Sequence, residues 1–158
     1  MGVSVDGVPM SSGPAFFDKV YRIEVHGYPP VDEDERNPFF WRVTARISRN
    51  DNIILWGYLR QSGEDGFGQV QVLGFPRHFL WSEVTASEKA TAKFLKWCRK
   101  HATEVLYDTA RRALQTQAAA MDFQFELDVT APDVEPVLVQ PSAELLSQLS
   151  EQNAESAE

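Results

Sequence analysis

Cys98 and His101 lie three residues apart, a spacing that brings both side chains to one face of a helix. There they could share a metal ion, or act as a thiol and its base. A zinc site needs about four ligands. His26 and His78, the only other histidines, fall in different predicted elements, and Cys98 is the only cysteine, so one chain can assemble neither a thiolate zinc site nor a disulfide. No local pattern supplies an orienting group or an oxyanion site. Both residues lie near an apolar stripe, and core packing is the expectation for the pair. Carboxylates adjoin at Glu64 and Asp65 and in the run Asp32, Glu33, Asp34 and Glu35. Acid–base work needs one carboxyl of a pair desolvated, whereas charge runs flanked by proline and glycine are solvated. "GEDGFG" has the glycines of a phosphate loop without the following Lys-Ser/Thr and helix. The chain is therefore expected to be no enzyme, with no catalytic residue, no metal and no cofactor.

The elements that would have to position such residues belong to one domain. A chain of 158 residues with 43% apolar and 24% charged residues has the balance of a globular protein with a real core. The expected organisation is a flexible N-terminal segment over 1–15, a folded domain over 16–150 and an acidic disordered tail over 151–158. A formal charge of −8 argues against nucleic acid as a partner, because phosphate binding needs clustered Lys and Arg. No apolar run approaches the ~20 residues that cross a bilayer, and "MGVSVDGVPMSSGPA" lacks the basic start and apolar centre of a signal peptide. A cytoplasmic protein without membrane insertion is expected.

Alternation marks the strands. Tyr21, Ile23 and Val25 should share one face of the first, with Arg22, Glu24 and His26 on the other. After the charged loop "PPVDEDERNP", Trp41, Val43, Ala45 and Ile47 alternate with Arg42, Thr44, Arg46 and Ser48, which gives a strand with one wet face. "RNDN" turns the chain into a strand apolar on both faces, with Ile53, Leu55 and Leu59 on one and Ile54, Trp56 and Tyr58 on the other. Such a strand should be covered on both sides. "SGEDGFG" turns again into "QVQVLG", with Val70 and Val72 in phase, and completes an antiparallel meander.

From about Thr85 to Ala120 the chain lacks proline and glycine and predicts a long helix. Phe94, Trp97, Cys98, His101, Val105 and Leu106 recur at helical spacing as its apolar stripe. The helix then runs, without a breaker, into "DFQFELD", whose alternation suits either a fifth strand or an extended connector with its phenylalanines inward. Ser142 can cap a short helix that uses Leu145, Leu146 and Leu149. The expected fold is α+β: a four-stranded antiparallel sheet, one long helix packed across it, and a short C-terminal helix.

Trp56, Tyr58, Phe67, Phe75, Phe79 and Trp81 occur within a short span that already contains a strand and its following loop. A small domain cannot easily bury all six, so they are the candidate residues for an apolar binding surface or an oligomer interface. The segments "FWRVTARISRNDNIILWGYLRQSGEDGFG", "EVLYDTARRAL" and "FQFELDVTAPDVEPVLV", in this order, resemble the second and third strands, the long helix and the extended Ala-Pro stretch of the SecB family of protein-export chaperones. The resemblance spans roughly Phe16 to Leu149. It implies an ATP-independent holdase for unfolded or extended polypeptide clients, for export or for a dedicated client, assembled as a homotetramer, a dimer of dimers. The chain departs from the family pattern at Asp108, where a proline usually follows the aromatic. It departs again in the longer, more aromatic loop "GFPRHFLWSEV", and in a tail, "SEQNAESAE", without the basic, zinc-holding end. The alternative reading is a non-enzymatic adaptor domain that binds one folded protein.

Overall fold

The computed structural model describes residues 16–27, 39–63 and 65–157. The expectations for residues 1–15, for the loop at 29–38 with its acidic run, and for Glu64 fall outside them. Period-two alternation produces four antiparallel strands: β1 (Phe16–His26), β2 (Phe39–Ile47), β3 (Ile53–Ser62) and β4 (Phe67–Pro76). Strands β2, β3 and β4 form the meander, and β1 returns beside β4 in a Greek-key order. The β2–β3 turn places Asn50 and Asp51 at positive φ, 57° and 62°, a conformation that these two residue types tolerate better than most.

Two features depart from the expected four-stranded antiparallel sheet. A fifth strand, β5 (Val137–Leu138), pairs in parallel with β2, through Thr44 with Val137 and Ala45 with Leu138, which makes the sheet mixed. Two residues are too few to leave a periodic signal. In addition, a bulge between Val20 and Arg22 inserts Tyr21 as an extra residue in β1. Tyr21 consequently leaves the face of Ile23 and Val25 and reaches the opposite face, where its ring meets Trp56 at 5.2 Å.

The helical layer begins with a single turn, α1 (Trp81–Val84), and continues through α2 (Glu88–Trp97), a wide π turn (Cys98–Ala102) and α3 (Thr103–Ala120). Ser87 caps the long helix, and its side chain accepts from the Ala90 N–H at 3.1 Å. The fully buried stripe is Phe94, Cys98, Ala102, Leu106, Ala110, Leu114 and Ala118, a constant step of four. Four residues overshoot one α turn by about 40°, and the π turn absorbs part of that drift. The stripe thus stays over Val43, Leu55, Leu59, Val70 and Val72 of the sheet. Val105, expected within the stripe, is exposed. The sheet accepts this layer closely at Gly68, where a Cβ would lie 2.7 Å from Leu114.

The helix ends without glycine or proline because Asp122 adopts φ 66°. The Phe123 N–H donates to the Ala118 carbonyl at 3.1 Å and the Asp122 N–H to the Ala119 carbonyl at 3.0 Å, the two bonds of a Schellman ending. The following "DFQFELD" is an extended connector, outside any strand ladder, with Phe123 and Phe125 buried and Gln124 and Glu126 exposed. Buried Tyr107 holds it by donating to the Asp128 carbonyl at 2.6 Å. Ser142 caps α4 (Ala143–Ala157), accepting from the Leu145 N–H at 3.1 Å. The helix runs on through 151–157, within the segment read as an acidic tail, and Ala, Glu and Gln are good helix formers.

A candidate binding face on the open side of the sheet

Neighbouring strands share their faces, so the wet face expected for β2 and the second apolar face expected for β3 are one surface. The register pairs Phe40 with Arg60, Arg42 with Tyr58, Thr44 with Trp56 and Arg46 with Ile54. This is the side of the sheet opposite the helical layer. Its rings are half-buried instead of covered by a second layer, which corrects the expectation for β3. Arginine stems do the partial covering. The Arg46 guanidinium carbon lies 5.4 Å from the centre of the Trp56 ring, and those of Arg42 and Arg60 lie 5.9 and 5.7 Å from the centre of Phe40. Phe40 meets Tyr58 edge-to-face at 5.8 Å.

The aromatic floor is tied down by polar contacts from β4 and β1. Tyr58 donates to Gln69 Oε1 at 2.5 Å, and Gln69 Nε2 donates to Glu24 Oε2 at 3.1 Å. That hydrogen bond, reinforced by Arg22 at 3.1 Å, holds the Glu24 carboxyl below the usual carboxylate range. Between these groups lies a shallow depression of about 260 Å³ lined by Phe40, Arg42, Thr44, Arg46, Trp56, Tyr58 and Gln71. A surface of this kind presents rings, guanidinium edges and amides. It can bind an extended segment by contact and charge.

Of the six aromatic candidates, Trp56, Tyr58, Phe67 and Phe75 alternate onto this face. Phe67 lies at its far end, stacked on His26 at 4.8 Å. The other two are elsewhere. Trp81 is 7% exposed and belongs to the core, and Phe79 packs edge-to-face on Phe94 and Trp97 at 4.9 and 5.1 Å. They drop out of the binding surface because the chain turns after Pro76 and carries them under the start of the helical layer. Sequence reasoning missed Phe40, Arg42, Arg46, Arg60 and the bulged Tyr21. The first four were recoverable by aligning the alternation of β2 with that of β3.

Cys98 and His101 lie in the packing of the helical layer. Cys98 is fully buried, and burial pushes its thiol up to about 12. His101 leans on the Trp97 ring at 5.7 Å. Among the described residues no group of three or more His, Cys, Asp or Glu side chains is arranged to hold a metal ion. No helix among them is long and apolar enough to cross a membrane. No family model, no curated protein and no solved structure matches this chain.

Proposed function

We propose that this chain is a SecB-like, ATP-independent holdase that takes up unfolded or extended polypeptide on the open face of its sheet. The observation that carries the reading is the gathering of Phe40, Trp56, Tyr58 and Phe75 on the side away from the helices. An extended apolar segment laid on such a face gains roughly 25 cal/mol for each Å² removed from water, without a nucleotide or a covalent step. The element order supports the family reading: a sheet built from a meander, a long helix, an extended connector held to it, and a C-terminal helix. Assembly as a homotetramer belongs to the same proposal. It is supported by β1, an edge strand with Val20 and Tyr21 40% and 57% exposed.

The test is light scattering from a chemically unfolded client diluted into buffer with increasing amounts of this protein and no nucleotide. Suppression at near-stoichiometric amounts, absent with an inert acidic protein, is the expected result. No suppression across several unrelated clients would overturn the holdase reading in favour of an adaptor for one folded partner.

A further inference from the structure

The chain carries a net charge of −8, yet its open sheet face is basic. Among the described residues Arg42, Arg46 and Arg60 have no carboxylate within salt-bridge distance, and Glu24, across the face, is already paired with Arg22. Arg60 also holds a buried Nε without a hydrogen-bond partner. Three guanidinium groups thus lie over aromatic rings, 5.4–5.9 Å from the ring centres, without a carboxylate partner among the described residues. From this we infer that the face selects extended polypeptide segments carrying carboxylates, with the acids meeting the arginines and an intervening apolar residue meeting the ring of Trp56. The inference rests on the holdase reading and names its client chemistry.

Spacing supports it. Arg42 and Arg46 are four residues apart on one strand, about 13 Å, and an extended client repeats the same distance between its own positions i and i+4. Thr44, between them, sits opposite Trp56, and a client residue at i+2 would meet the part of that half-buried ring which Arg46 and Tyr21 leave uncovered. Carboxylates accept from a guanidinium in a planar, paired geometry, and stacking on a ring pre-orients that fork. A single-stranded nucleic acid fits less well. Three guanidinium groups are too few to track a phosphate backbone, and the net charge of −8 repels a polyanion more than a peptide with two carboxylates.

Fluorescence anisotropy on the full chain tests this with labelled peptides of about twelve residues, long enough to cross the sheet face. One carries Asp or Glu at i and i+4 around a Phe or Leu, and a second replaces the acids with Asn or Gln. A single-stranded oligonucleotide serves as a third probe. The acidic peptide should bind roughly three- to tenfold tighter at low salt, as two exposed charge pairs allow, and the gap should shrink as salt rises. It should close in the double variant Arg42→Gln/Arg46→Gln, whose exposed side chains leave the fold intact by circular dichroism. Equal or tighter binding of the neutral peptide overturns the preference for acids while leaving the holdase reading in place, and tighter binding of the oligonucleotide overturns it as well. Binding of neither peptide, together with no suppression of scattering, overturns both readings.

Discussion

Asp108 lies in the interior of α3 and receives two guanidinium groups. Arg111 donates to it at 2.7 Å and Arg112 approaches at 3.0 Å. The hydrogen bond from Arg111 holds its carboxyl below the ordinary value. A carboxylate whose folded pKa is lowered contributes stability that is present above its unfolded pKa and is lost as pH falls through the folded one. The melting temperature should therefore drop on acidification below roughly pH 4, and Asp108→Asn should make that drop shallower. Thermal melts of both proteins across this range check the prediction, and identical pH profiles would refute it. Other residues act by size. A Cβ on Gly57 would lie 2.8 Å from both Trp41 and Val72, so Gly57→Ala should cost about 1–3 kcal/mol in denaturant unfolding.

At the scale of elements, the decisive device is the end of α3. Composition and pattern carry a helix straight into an alternating segment, and one residue in the left-handed region separates the two. Asp tolerates that region at a cost that glycine avoids. Asp122→Gly should stabilise the fold by about 1 kcal/mol and raise its melting point by a few degrees, whereas Asp122→Val should lower it. Scanning calorimetry of the two variants distinguishes these signs. Once the helix has stopped, burial of Phe123 and Phe125 and the Tyr107 bond to Asp128 lay the connector along the protein. Farther on, Arg99 reaches Asp133 at 2.7 Å, shortly before the chain enters β5.

The described residues form two layers, with one face of the sheet under helices and the other carrying rings half-shielded by arginine. On the proposed function, that second face meets a client or another copy of the chain. Replacing Trp56 and Tyr58 together with Ala should either dissociate the oligomer or weaken client binding. Size-exclusion chromatography with light scattering reads the first, and the aggregation assay reads the second. If a folded double variant keeps both its assembly and its binding, β3 has no part in the function.

Much of this architecture was written in local pattern. Alternation gave β2, β3 and β4 their faces, Ser142 announced a helix start, and the long helix followed from its composition, because backbone propensity and burial periodicity act over short stretches of chain. Tertiary structure decided what needs two distant segments at once. The Tyr21 bulge depends on its pairing with β4, and β5 exists only because the returning chain meets Thr44 and Ala45. The candidate face shows the same division. Its aromatics on β3 and its arginines on β2 were each legible, but one strand read as wet and the other as covered. Only the register that sets Arg42 beside Tyr58 and Arg46 beside Ile54 turns those two descriptions into one basic, aromatic surface, because a side chain's surroundings are fixed by its neighbours across the sheet as much as by those along the chain.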